Sequence, residues 1–207
     1  MNNIFCKNRT CFFVIITFLI FLPGCFYTRR PAILPAATRG YSDEQIGVEC
    51  KVQPLSGKES YALFGSDLAY QGYQPCLVEL YNNSRASYSL SWRYVSMPLT
   101  SHYIIKDVSH YNTSLFAFTT SLLAAIYCWP LIPVVIVPSA LAMARFNKEV
   151  DQVVDEYGLK DNERITLAPY ERLSKIIFIY GWHKGASFDI GLLNSDTHAF
   201  IKFTVTL

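Results

Sequence analysis

Residues 114–146 read SLFAFTTSLLAAIYCWPLIPVVIVPSALAMARF; they carry no charge before Arg145 and are interrupted by Pro130, Pro133 and Pro138. Strand-like sequence lies on either side, so this stretch limits what the chain can build. A single helix through it would hold the prolines inside, where each removes a backbone hydrogen bond at a cost of about 3 kcal/mol. The expectation is a break near Trp129–Pro133 and two helices. The first, from about Leu115 to Tyr127, would be about 20 Å long, short of the ~30 Å hydrocarbon layer. The second is expected to begin near Pro138, a residue suited to a helix start, and to end at Gly158 as cap. Along it Met143, Phe146, Val150, Val153, Val154 and Tyr157 fall at three- and four-residue spacing, with Lys148, Glu149, Asp151 and Asp155 elsewhere.

One crossing of a bilayer by residues 115–137 would leave the flanking strands on opposite sides, unable to share a domain. An apolar helical hairpin over about residues 113–158 keeps them together. Its first arm offers Leu115, Phe116, Phe118, Leu122, Leu123 and Ile126 for contact with a membrane or a partner. Trp129, Ile132, Val135 and Ile136 continue that surface through the break. No face is set aside for water, which favours membrane or partner contact over packing on the chain's own sheet.

The flanks carry the strand signal. VECKV (48–52) alternates, and CLVELY (76–81) leads through the turn cluster NNSR into ASYSLSWRY (86–94), the pattern of a β-hairpin. Beyond the insertion RITLAP, LSKIIFIYG, SFDIGLLN and HAFIKFTVTL resume it, the second as a continuous apolar run in IIFI and the rest by alternation. The fold class expected is mainly β with an α insertion (α+β), an antiparallel sandwich of about seven strands; closure into a barrel is the alternative.

The N-terminus sets the location. Lys7 and Arg9 precede the apolar run CFFVIITFLIFL (11–22), the layout of a secretory signal, and twelve residues are short for a permanent span. It ends in LPGC, Leu22 to Cys25, which resembles the lipobox of bacterial lipoproteins. Pro23 departs from the small residue usual there. The resemblance implies a signal peptide over 1–24, a lipid such as palmitate on Cys25, and residues 25–46 as a lipidated tether. It also implies a home in the cell envelope: Phe26 is not the inner-membrane retention aspartate, so in a Gram-negative host the periplasmic face of the outer membrane is expected. An ordinary signal peptide or a signal anchor is the alternative. Loss of 24 residues from 207 leaves 183, enough for one domain over 47–207, and takes Lys7 and Arg9 from 18 basic residues to leave 16 against 16 acidic ones. A neutral chain has no basic field for nucleic acid.

A second, looser resemblance runs through SYALFGSDLAYQGYQPCLVELYNNS (60–84) and APYERLSKIIFIYG (168–181) to uncharacterised bacterial envelope proteins with immunoglobulin-like domains. The motifs it rests on are structural: Phe64, Gly65, Asp67 and Leu68 in a turn, Gly72, Tyr73 and Pro75 at a strand entry. It implies an immunoglobulin-like β-sandwich and no catalytic residue.

Cys50 and Cys76 are the candidate disulfide of an exported chain, the other reading being that they and Cys128 are small buried hydrophobes. No nucleophile elbow, P-loop or dinucleotide fingerprint is present. His102, His110, His183 and His198 lack paired metal-ligand spacing, so neither metal nor cofactor is expected. The function expected is a non-enzymatic envelope lipoprotein with a structural or interaction role. Its partners would be the membrane, through the lipid anchor, and a membrane-embedded protein. An integral membrane protein with a signal anchor and a second span near 115–137, and a ligand-binding sandwich with an aromatic pocket, are the alternatives.

Overall fold

The computed structural model describes residues 34, 35, 37, 41–110, 132–181 and 185–206. The chain divides into two units. The first, Ala32–His110 with Val150–Leu207, holds all the described strands. The second takes in Tyr111–Glu149 and Met1–Pro31, and its described part is helical residues 132–149.

Strand β1 (Tyr41–Gln45) turns through Ile46 and Gly47, both at positive φ, into β2 (Val48–Pro54). Two left-handed residues between antiparallel strands match the right-handed twist of a hairpin. Ser56 then caps helix α1 (Gly57–Phe64) in a reciprocal box with Glu59, and Gly65, at φ 72°, ends it. Strand β3 (Tyr73–Asn82) follows, then β4 (Tyr88–Val95) and helix α2 (His102–Ser109), capped by Ser101. Helix α3 (Ile132–Tyr157) returns the chain to β5 (Arg164–Leu167), β6 (Arg172–Tyr180), β7 (Ser187–Asn194) and β8 (Phe200–Thr206).

The strands form two four-stranded antiparallel sheets, β1-β2-β3-β6 and β5-β4-β7-β8. The first unit is thus mainly β with helices added, an α+β arrangement. In the second sheet Ile165, Leu90, Leu192 and Ile201 lie side by side across four strands. In the first, Cys50 lies opposite Leu80, Val52 opposite Val78, and Cys76 opposite Ile177. Both rows belong to a single apolar core with Phe188, Phe203 and Tyr88.

The first sheet has a second apolar layer. Leu77, Ile176 and Phe178 alternate with core residues yet are also buried. The Phe64 ring of α1 meets Phe178 edge-on at 5.4 Å, and Leu63, Ile105, Val150 and Val154 bring the buried faces of all three helices. That is why IIFI is apolar without alternation: the strand is covered on both sides.

Several expectations change. The tether expected over 25–46 gives way at Tyr41 to an edge strand, whose polar sequence YSDEQ shows no alternation of apolar residues. The NNSR turn does not close a hairpin, because β3 already pairs with β2 on one edge and β6 on the other; β4 passes into the other sheet. Helix α3 begins at Ile132 rather than near Pro138. Pro133 falls in its first turn, where no N–H is needed, and the helix runs through Pro138 one hydrogen bond short. Gly158 follows the helix without a positive φ; a Cβ there would collide with the Val154 carbonyl oxygen. Glycine is required for that close approach rather than for a left-handed cap.

Candidate functional site

The described chain leaves the first unit at His110 and re-enters it at Val150, and the structure holds these two points together. On α2, His102 and Lys106 are four residues apart, and His110 is the residue after the helix, so one stripe carries all three. Opposite stand Asp151 and Asp155, one turn apart on α3, and Asp161 beyond it. His110 Nε2 lies 2.9 Å from Asp151 Oδ1, Lys106 Nζ 2.7 Å from Asp155 Oδ2, and His102 Nδ1 3.6 Å from Asp161 Oδ1. Ser101 Oγ donates to Asp161 Oδ2 at 2.7 Å, and Lys160 Nζ lies 3.9 Å from Asp155. The hydrogen bond from Lys106 holds the Asp155 carboxyl below the usual carboxylate range, with Lys160 and His102 adding to the effect against partial burial.

The same two elements are fastened to β6. The Thr100 N–H donates to the Phe178 carbonyl and the Tyr180 N–H to Pro98, ahead of α2. At the end of α3, the Leu159 N–H donates to the Ile176 carbonyl at 2.9 Å and Lys175 Nζ to the carbonyl of Glu156, in the last turn, at 3.0 Å. One edge strand therefore anchors both ends of the insertion. In the sequence the ladder reads as H-x3-K-x3-H on one side and D-x3-D on the other.

Of the residues singled out from sequence, Cys25, Leu115, Phe116, Phe118, Leu122, Leu123, Ile126 and Trp129 lie outside the described residues. Ile132, Val135 and Ile136 fall in the first turns of α3, and their side chains are likewise outside what is described.

Cys50 and Cys76 are free and buried. Although β2 and β3 are neighbours, Cys50 pairs with Leu80 and Cys76 with Pro54, a four-residue offset. That separates them by about 13 Å along the strands, beyond the ~7 Å Cα reach of a disulfide. The candidate disulfide is therefore ruled out, and both cysteines are small buried side chains of the core. Burial pushes both thiols up to about 12, so neither supplies a thiolate near neutral pH.

A surface hollow of about 250 Å³ on the outer side of the first sheet is lined by Glu49, Lys51, Glu79, Leu80, Tyr81 and Arg172. Its charges answer one another: Arg172 lies 2.8 Å from Glu79 and Lys51 2.8 Å from Glu49. Among the described residues no group of three or more His, Cys, Asp or Glu is set to hold a metal ion.

Comparison with protein-family models, with curated proteins and with solved structures returns no match. Among the described residues no helix is long and apolar enough to cross a membrane.

Proposed function

We propose that this chain is a non-enzymatic envelope lipoprotein, anchored by a lipid on Cys25, whose apolar insertion contacts the membrane or a membrane-embedded partner. The signal-like N-terminus and LPGC support the anchor. The observation that carries the rest is the 2.9 Å contact between His110 and Asp151. A single crossing by the intervening residues would part those two side chains by the thickness of a bilayer, ~30 Å. Their pairing supports an apolar hairpin that goes out and comes back on one side of the β-domain. It weighs against a second span near 115–137.

We read the two sheets as an immunoglobulin-like sandwich. With β1 set aside, β2, β3 and β6 take the places of strands A, B and E, and β5, β4, β7 and β8 those of C′, C, F and G. Cys76 on β3 and Trp92 on β4 stand on the strands where antibody domains carry a disulfide cysteine and the core tryptophan. β7, SFDIGLLN, supplies no second cysteine, so no disulfide of the antibody kind joins these sheets.

The test has two arms. Cells fed labelled palmitate are expected to label the wild-type protein and leave Cys25→Ser unlabelled; equal labelling ends the anchor reading. A chain lacking residues 1–25 is expected still to float with liposomes, and serine at Leu122, Ile126, Val135 and Ile136 to abolish flotation with the β circular dichroism signal intact. If the serine variant unfolds instead, the insertion is core.

A further inference from the structure

The ladder between α2 and the end of α3 is unusual in its basic side: two of its three rungs are histidines. An imidazole is the side chain that changes charge between about pH 5 and 8. While neutral it makes at most an ordinary hydrogen bond to a carboxylate; once protonated it makes an ion pair, roughly twice as strong.

We propose that this ladder is a pH-operated clamp on the two ends of the insertion, closed when His110 and His102 are protonated and loosened when they are neutral. The geometry argues it rung by rung. His110 is half-buried and faces Asp151 of α3 directly; Lys106 and Asp107 stand about one turn back, on α2. His102 is buried, lies against the Tyr103 ring with centroids 3.9 Å apart and planes tilted by 38°, and faces Asp161 and Asp155 across the gap, with Lys106 on its own helix. Its Nδ1 has no hydrogen-bond partner, and Asp161 Oδ1 stands 3.6 Å away. Protonation places a hydrogen on both ring nitrogens, so Nδ1 becomes a donor with a carboxylate in front of it, which offsets the cost of burying the charge. With both imidazoles neutral, Lys106 and Lys160 on Asp155 hold the clamp without them.

The inference does not depend on lipid at Cys25. Its test is hydrogen exchange followed by mass spectrometry on the full-length chain in detergent micelles at about pH 5.5 and 8.5, with rates corrected for intrinsic exchange. Protection of residues 98–110 and 150–160 is expected to fall about three- to tenfold at the higher pH, while peptides from β7 and β8 hold steady. His102→Gln with His110→Gln, neutral at every pH, is expected to give the low protection at both. Equal protection of the wild type at both pH values, or an undiminished drop in the double variant, overturns the proposal. If replacing buried His102 unfolds the domain, seen as lost protection in β7, His110→Gln alone decides: it must at least halve the response.

Discussion

The two sheets share a core and differ in what lies behind them. In the second sheet β8 runs FIKFTVT, with Ile201, Phe203 and Val205 buried and Phe200, Lys202, Thr204 and Thr206 exposed, a strict alternation. In the first, Ile176, Ile177, Phe178 and Ile179 of β6 are buried in succession, because the helices cover the outer side. The insertion leaves and returns on the doubly covered sheet, whose edge strand holds both its ends. The singly covered sheet presents an ordinary polar face. The extra layer is thus where this chain departs from a plain two-sheet domain, and where the proposed interaction role would be built.

A matched pair of truncations breaks or sharpens that comparison most directly. Phe178 and Phe200 are phenylalanines on the outward faces of the first and second sheets. Phe178 is 2% exposed against Phe64, and Phe200 is 52% exposed with an edge-on contact to Tyr94 at 5.5 Å. Phe178→Ala is expected to cost about 3–5 kcal/mol and Phe200→Ala about 1 kcal/mol, read from urea unfolding. Equal costs would mean the helical layer adds nothing to the fold.

Next in size is the joint between the sheets. Asn82, the last residue of β3, is fully buried. Its Nδ2 donates to the carbonyls of Ala86 at 2.7 Å and Ala168 at 2.8 Å, and its Oδ1 accepts from the Ser84 N–H and hydroxyl. It ties the corner after β3 to the end of β5 in the other sheet. Asn82→Ala strands several buried polar groups and is expected to cost about 2–4 kcal/mol. Asn82→Asp, which keeps the acceptor and loses the donors, is expected to fail as well. A neutral result for alanine would show the sheets held together by apolar packing alone.

The same contrast explains what the sequence let one read. The strands of the second sheet announce themselves by alternation, and SFDIGLLN maps onto β7 residue for residue. The first sheet is harder. β1 has no apolar alternation, and α1 and α2 are eight residues each, too short for a periodic signal. Ser56 with Glu59 does form a capping box, so α1 had a legible start. The corner after β3 differs from the expected hairpin because Asn and Ser turn chemistry serves a two-sheet crossing as well as a hairpin. Which it serves depends on β6, whose pairing with β3 closes the edge from about ninety residues downstream, a distance no local pattern reports. The pairing of α2 with α3 is hidden for a similar reason: its partners lie on either side of the insertion.

Acid provides a smaller probe of the helical layer. The Asp155 carboxyl is lowered chiefly by its bond from Lys106, so it stabilises the fold above its unfolded value of about 3.9 and loses that contribution as pH falls through the folded value. Thermal midpoints between about pH 5 and 2.5 are expected to fall less steeply in Asp155→Asn than in wild type. The carboxylate is 45% exposed, so solvent screens the pair and the difference is small. An unchanged slope would assign acid sensitivity to groups outside the ladder.

The smallest effect is expected at the edge of the first sheet, and it is a gain. Ile46 occupies the first position of the β1–β2 turn at φ 51°, followed by Gly47 at φ 74°. A β-branched residue in the left-handed region is strained, by roughly 1–2 kcal/mol relative to its ordinary conformations, whereas asparagine visits that region readily. Ile46 is also 75% exposed, so its side chain contributes little burial to lose. Asn-Gly is the favoured pair for a turn of this kind. Ile46→Asn is therefore expected to stabilise the domain by about 0.5–1 kcal/mol, whereas Gly47→Ala, with no such freedom and Ser84 Cβ 3.3 Å from its new methyl, is expected to destabilise it. If Ile46→Asn destabilises instead, the isoleucine is held by a contact worth more than its backbone strain. The exposed edge of β1 would then be a surface the protein uses.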